Sequence, residues 1–189
     1  ARRLGAIVNL DDCSDIDTLA AHGGIPETIC VRFNPGGTFS LGTQIMGAPG
    51  ESKYGWTREQ LLPGLNRLRE LGAKQFGVHA FLASNTTDHS YYPKLAGILL
   101  ALGKELAPQC GLRFAFVNLS GGVGIPYQPD QPAADILKIG AAVEQEYRQI
   151  LGDPREAGVG IKTELGRFMT GPQGWLVTRA VHEKKIYRD

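Results

Sequence analysis

The sequence has few cysteines, no long apolar run and almost no net charge. Its three cysteines (Cys13, Cys30, Cys110) among 189 residues are odd in number and widely spaced, which favours reduced thiols over a disulfide framework or a metal site. No apolar run approaches the roughly 20 residues of a membrane-spanning helix, and the opening ARRLGAIVNLDD turns acidic too early for a signal peptide. The net charge of +1 gives no basis for binding nucleic acid or membrane surfaces. We therefore expect a cytoplasmic protein without nucleic-acid, membrane or metal partners.

Glycine, in contrast, is abundant. The 25 glycines are about twice the usual share of roughly 7%, and many follow apolar runs, where a backbone turns tightly or approaches a ligand. The chain is long enough for one sizeable domain with its own core.

Short apolar runs alternate with amphipathic stretches along the chain. The apolar runs predict six strands, at residues 5–10, 28–33, 74–81, 112–119, 159–164 and 174–185. The amphipathic stretches predict four helices, at residues 14–23, 57–72, 91–107 and 132–151. Ser14 and Gly23 are the predicted N-cap and terminator of the first helix, and Thr57 with Gln60 forms a predicted capping box.

This alternation of strands and helices predicts an α/β fold with a parallel sheet. The segment SGGVGIPY (120–127) is not a dinucleotide fingerprint, because Tyr127 stands at its third glycine position. The pattern leaves two architectures open, an open sheet or a piece of a (β/α)8 barrel.

Two glycine-containing motifs follow consecutive predicted strands, SGGVG at 120–124 and ELGR at 164–167. Phosphate in (β/α)8 barrels is often bound by the loops after the last two strands. Glycines let backbone N–H groups approach phosphate oxygens, and Arg167 supplies a positive charge. A tight turn explains the first motif alone, and a surface ion pair explains the second. Together, at the ends of consecutive strands, they favour an anion site.

Several segments resemble the diaminopimelate decarboxylases, which are pyridoxal-phosphate enzymes with an alanine-racemase-like barrel and relatives of ornithine decarboxylase. The matching segments occur in the family's order: VNLDD (8–12), VRFNPG (31–36), SKYG (52–55), HAFLAS (79–84), NLSGGVGIPY (118–127) and TELGRFMTGPQGWLVTR (163–179). The resemblance implies a partial (β/α)8 TIM barrel over residues 1–173, roughly its last five βα units. Residues 174–189 would form a crossover strand toward a C-terminal β-domain.

The resemblance also implies roles in binding pyridoxal phosphate. Ser84 and Gly122 would contact its phosphate, and Gly121 would shape the same loop. Glu164 would face the pyridine nitrogen, where a carboxylate keeps the nitrogen protonated and the ring a better electron sink. His79 would lie near the ring, as a second catalytic candidate.

Further residues would surround the cofactor. The segment 164–167, which includes Leu165 and Gly166, would wrap its edge, with Arg167 toward the phosphate or the substrate carboxylate. Lys53 and Tyr54 would belong to a loop over the site.

Several positions depart from the family's motifs. The usual triple glycine reads Ser120-Gly121-Gly122. The family pattern H-x-H-x-G-S has Phe81 at its second histidine, and an aromatic ring there can stack on the cofactor but cannot titrate. The proline of E-P-G-R is Leu165. These changes leave the substrate open.

The family's Schiff-base lysine lies on the first barrel strand, which would precede Ala1. Lys162 shares the strand parity of Glu164, but we do not expect it to take that role. We therefore expect the middle of a longer homodimeric enzyme, inactive by itself, that converts meso-diaminopimelate to L-lysine in lysine biosynthesis. The alternatives are a decarboxylase of ornithine or of another basic or D-amino acid, and an inactive phosphate-binding barrel fragment.

Overall fold

The computed structural model describes residues 2–37, 52–185 and 187. The strands in these residues are β1 (Val8–Leu10), β2 (Thr28–Arg32), β3 (Gln75–His79), β4 (Arg113–Asn118) and β5 (Gly160–Lys162). The α-helices are α1 (Asp15–Gly23), α2 (Arg58–Glu70), α3 (Tyr91–Cys110), α4 (Ile136–Leu151), α5 (Pro154–Ala157) and α6 (Gly166–Thr170). Short 3-10 helices lie at Arg2–Leu4 and Gly171–Gln173. Five predicted strands and four predicted helices are confirmed in place.

The five strands form one parallel sheet in the order β1-β2-β3-β4-β5. Side chains alternate between its two faces. One face is apolar and buried in the core (Ile29, Val31, Phe76, Val78). The opposite face carries a row of polar side chains at the carboxyl ends of four neighbouring strands (Arg32, His79, Asn118, Lys162), which are paired in register. The fold therefore places this polar row where ligands bind in parallel α/β proteins.

A β-bulge between β3 and β4 determines which side chains of β4 reach the polar face. Phe76 pairs with Phe114 but Gly77 pairs with Phe116, so Ala115 is an extra residue. Phe114 packs at Gly103 of α3, while Phe116 packs over Gly77, and a Cβ at either glycine would lie 2.2 Å from a ring atom. The bulge thus turns Phe116, and Asn118 two residues later, to the polar face.

The predicted helix ends are partly correct. The capping box of α2 is confirmed, since Thr57 N donates to Gln60 Oε1 at 2.9 Å. Ser14 precedes α1, but its hydroxyl bonds the Asp12 carboxylate instead of the helix backbone. The left-handed residue that ends α1 is Gly24, with φ 69°, one residue beyond Gly23. None of the described helices, the 20-residue α3 included, has the length and apolarity to cross a bilayer.

The predicted sixth strand at residues 174–185 is not formed among the described residues, where this segment has no strand pairing. Its role as a crossover strand toward a further domain stays a prediction. Trp175, Leu176, Val177 and Val181 are at least 90% exposed. A β-prone composition describes side chains suited to a half-buried sheet, and without a neighbouring strand in the described residues it forms none. Residues 38–51 of the predicted loop before α2 lie outside the described residues.

Candidate functional site

A pocket of about 360 Å³ opens at the carboxyl ends of β2 to β5. It is lined by Arg32, His79, Phe81, Ser84, Asn85, Ser120, Gly121, Gly122, Glu164, Gly166 and Arg167. These side chains come from four strand ends that are distant in sequence, and the parallel register brings them to one edge of the sheet. The pocket is thus a property of the fold and not of a single motif.

Every predicted site residue except Leu165 lines this pocket. Leu165 is the N-cap residue of α6 and packs, partly buried, against the hydrophobic core. The described part of the predicted covering loop lies nearby, since the Tyr54 ring is 4.6 Å from Arg32 Cζ and 5.4 Å from Lys53 Nζ. The structure therefore brings the predicted residues together, while their roles toward a ligand stay predictions.

The loop after β4 is held in a conformation that only glycines fit. Gly122 has φ 106°, and a Cβ there would lie 2.4 Å from Ala83 O, while a Cβ at Gly121 would lie 2.4 Å from Glu164 O. Thr86 N donates to Gly122 O at 2.8 Å, and the buried Tyr92 hydroxyl donates to Gly121 O at 2.7 Å. Because these glycines have no side chains, backbone atoms of the loop form one wall of the pocket.

The loop after β4 and the segment after β5 are joined by hydrogen bonds. Glu164 N donates to Ser120 O at 2.8 Å, so the two glycine-containing motifs lie side by side. Asn118 Nδ2 donates to Glu164 Oε1 at 2.7 Å, and Ser120 N donates to Asn118 Oδ1 at 2.9 Å. The Glu164 carboxylate is therefore oriented by a side chain whose own orientation is fixed.

His79 ends β3 and is only 8% exposed. Its Nδ1 lies 3.3 Å from Asn9 Nδ2, and its buried Nε2 has no hydrogen-bond partner in the described residues. Burial lowers the pKa of His79 below the ordinary 6.5, and Arg32 acts in the same direction, while Glu164 and Asp11 oppose the shift. The imidazole is therefore neutral near pH 7.

Arg32 is a pocket residue that the sequence analysis did not identify. Its Nη1 donates to Asp11 Oδ1 at 2.9 Å, and the Arg32 side chain is 15% exposed. The sequence signal for Arg32 is its charge within the apolar run TICVRF (28–33), because an arginine that is largely buried needs a partner. The sequence also did not predict the positions of three further polar residues at the site, Asn85, Ser120 and Asn118. Strand register and loop geometry place them there, and neither can be read from local sequence.

Two other cations flank the site. Arg167 Nη1 donates to the Tyr127 hydroxyl at 2.8 Å, which holds the guanidinium at the pocket wall formed by α6. Lys162 Nζ lies 5.1 Å from the centre of the Phe116 ring, and Lys162 does not line the pocket. The lining groups thus fit a ligand with an anionic group at the glycine loop and a planar basic ring near the carboxylate.

Comparisons with known proteins agree with this fit. The family model described as "Pyridoxal-dependent decarboxylase, pyridoxal binding domain" matches residues 3–171. Protein TabA of Pseudomonas amygdali pv. tabaci is 28% identical over 184 residues, which is 96% of this chain and 42% of that protein. The diaminopimelate decarboxylase of Thermoplasma acidophilum is 31% identical over 156 residues, 80% of this chain and 36% of that protein.

A solved structure shares the fold. The diaminopimelate decarboxylase of Helicobacter pylori, complexed with L-lysine, superposes with a TM-score of 0.68 at 16% identity over 84% of this chain and 39% of that one. The chain spans 36% to 42% of the length of the relatives named above.

Proposed function

Because the chain belongs to the pyridoxal-dependent decarboxylases, as their pyridoxal-binding domain, we propose that the whole protein decarboxylates an amino acid with pyridoxal phosphate. Its proposed substrate is meso-diaminopimelate, and the product is L-lysine. The observation that carries this proposal is the convergence of Glu164, the glycine loop and Arg167 in one pocket. The bound cofactor supplies an electron sink for the carbanion that remains when CO2 departs.

Glu164 holds a proton at the pyridine nitrogen. Its carboxylate faces the pocket and is oriented by Asn118, which suits it to pair with a protonated ring nitrogen. A carboxylate favours the protonated form of a neighbouring base through its negative charge. The side chain therefore keeps the ring in the state that withdraws electrons best.

The glycine loop holds the cofactor phosphate. Gly121 and Gly122 have no side chain between their backbone and the pocket, and their close packing against Glu164 O and Ala83 O keeps the loop in place. Ser84 lines the same pocket, and Arg167 adds positive charge. Phe81 offers an aromatic face to the cofactor ring.

The covalent attachment of the cofactor requires a lysine, and Lys162 does not line the pocket. We propose that another segment of the whole protein supplies this lysine, since the relatives are more than twice as long as this chain. The sequential strand order, without the reversal of a doubly wound sheet, supports a partial (β/α)8 barrel that the rest of the protein closes. We also propose a cytoplasmic homodimer.

A second substrate class has specific support. Protein TabA matches nearly the whole chain and does not carry the name diaminopimelate decarboxylase, and Phe81 departs from the family pattern at the ring. Decarboxylation of ornithine or of another basic or D-amino acid is therefore the alternative.

The test is CO2 release by the complete protein loaded with pyridoxal phosphate. We expect meso-diaminopimelate to give the highest kcat/KM in a panel that includes ornithine, lysine and D-amino acids. A higher kcat/KM for another amino acid would make that amino acid the substrate instead of meso-diaminopimelate. Absence of cofactor absorbance after loading would instead favour an inactive phosphate-binding protein.

A further inference from the structure

We propose that Asn9 fixes His79 in the tautomer with its proton on Nε2, so that His79 donates a hydrogen bond to an anionic oxygen on the cofactor ring. Asn9 is then a positioning residue, and His79 is a donor and not a base. The identity of the acceptor rests on the proposed function, whereas the tautomer does not.

The tautomer follows from the contact between the two side chains. Asn9 Nδ2 lies 3.3 Å from His79 Nδ1. An amide nitrogen carries only hydrogens, so Nδ1 must accept. A neutral imidazole that accepts at one nitrogen carries its proton on the other. The proton of His79 is therefore on Nε2.

The Nε2–H group lacks a partner within the described residues. His79 is 8% exposed, and its Nε2 atom is buried without a hydrogen bond. Leaving a buried N–H unsatisfied is unfavourable, and native proteins rarely do so without a functional reason. Because His79 lines the pocket, a ligand in the pocket can provide the missing acceptor.

Burial keeps the His79 ring neutral, and Arg32 supplies a positive charge for an anionic acceptor. Burial and Arg32 lower the pKa of His79, and Glu164 and Asp11 only partly oppose them. Arg32 pairs with His79 in register and lines the same pocket. An oxygen with negative charge in this corner would receive a hydrogen bond from His79 and an attraction from Arg32.

The position of His79 assigns the acceptor to the ring and not to the phosphate. His79 pairs in register with Asn118, which holds Glu164, the proposed partner of the ring nitrogen. The glycine loop lies beyond the end of β4, at residues 120–122. An oxygen attached directly to the ring, such as the phenolic oxygen of pyridoxal phosphate, fits this placement.

The tautomer can be tested by nitrogen NMR of the complete protein with 15N-labelled histidine, with His79→Gln used for assignment. We expect the Nδ1 shift of an acceptor nitrogen and the Nε2 shift of a protonated nitrogen before any ligand is added. Asn9→Asp should move the proton to Nδ1 or protonate both nitrogens, because a carboxylate can only accept. Two results would overturn the positioning role of Asn9. One is a proton on Nδ1 of His79 in the wild type, and the other is His79 nitrogen shifts that are the same in Asn9→Asp and wild type.

The acceptor is tested by adding pyridoxal phosphate and, separately, inorganic phosphate. We expect the resonance of the His79 Nε2 proton to move downfield when pyridoxal phosphate is added and to remain unchanged when inorganic phosphate is added. A shift with phosphate alone, or none with bound pyridoxal phosphate, would overturn the ring-oxygen assignment. If cofactor absorbance shows no binding at all, the proposed function falls together with the acceptor, while the tautomer is still decided by the ligand-free spectra.

Affinity gives a second readout. We expect Asn9→Asp to weaken cofactor binding by about tenfold, the size of one lost hydrogen bond. Asn66→Asp in α2 makes the same chemical change away from the pocket and should leave affinity unchanged. Equal affinities for Asn9→Asp and wild type would contradict the positioning role.

Discussion

Asn118 donates a hydrogen bond from Nδ2 to Oε1 of Glu164, 2.7 Å away, from the end of β4 to the segment that follows β5. The amide cannot reverse without loss, because its oxygen accepts the Ser120 N–H at 2.9 Å. The donor therefore always faces the carboxylate. This arrangement holds the Glu164 carboxylate in the position that we propose for the partner of the pyridine nitrogen.

Two replacements of Asn118 should affect the free energy of unfolding and kcat in opposite order. Asn118→Asp keeps an acceptor for Ser120 N but places a second carboxylate against Glu164, whereas Asn118→Leu loses both hydrogen bonds. We expect Asn118→Leu to lower the free energy of unfolding more, by about 1–2 kcal/mol. We expect Asn118→Asp to lower kcat more, because a second carboxylate cannot donate to Glu164 and repels it from the oriented position. If one of the two variants had both the lower free energy of unfolding in urea and the lower steady-state kcat, the role of Asn118 in orienting Glu164 would be contradicted.

Glu164→Gln should leave cofactor affinity within a few-fold but slow decarboxylation by about 100-fold or more, since glutamine keeps the shape and loses the charge at the ring nitrogen. Absorbance titration with pyridoxal phosphate and single-turnover CO2 release measure the two quantities. Glu70→Gln at the end of α2 is the matched control and should behave as wild type. Unchanged turnover in Glu164→Gln would remove this side chain from the mechanism.

Gly122→Ala should disrupt the glycine loop. A Cβ at this position meets Ala83 O at 2.4 Å, and the φ of 106° is strained for any other residue. We expect the free energy of unfolding to fall by about 2 kcal/mol or more and cofactor affinity to fall with it. The control is Gly140→Ala in α4, which has open space around it and should stabilise the protein by about 0.5–1 kcal/mol. Urea unfolding in which both variants behave alike would contradict the packing of the loop.

His79 should make stability depend on pH. Its pKa in the folded protein lies below the ordinary 6.5, so the unfolded chain binds a proton at a higher pH than the folded chain. The free energy of unfolding should therefore be unaffected by His79 above that pH and should fall as the pH drops below about 6.5. His79→Gln should flatten this dependence between about pH 7.5 and 5.5, whereas the exposed His182→Gln should not. Parallel urea-unfolding profiles for wild type and His79→Gln would exclude the shift.

Strand positions and the capping box were predictable because apolar runs such as 28–33 and 74–81 and the Thr57–Gln60 pair act locally. The polar row could not be read in full, because the extra Ala115 in β4 changes which face Phe116 and Asn118 occupy, and a bulge has no clear local signal. The strand predicted at 174–185 is absent from the described residues because strand formation also needs a partner strand. Its composition suits a sheet, but pairing depends on a neighbouring strand that composition does not specify.

The most direct test of the cofactor site is a crystal structure of the complete protein with pyridoxal phosphate. We expect the phosphate against the backbone of Gly121 and Gly122, and the pyridine nitrogen at the carboxylate of Glu164. A cofactor bound with its phosphate beside Arg32 and its ring nitrogen away from Glu164 would contradict the proposed site.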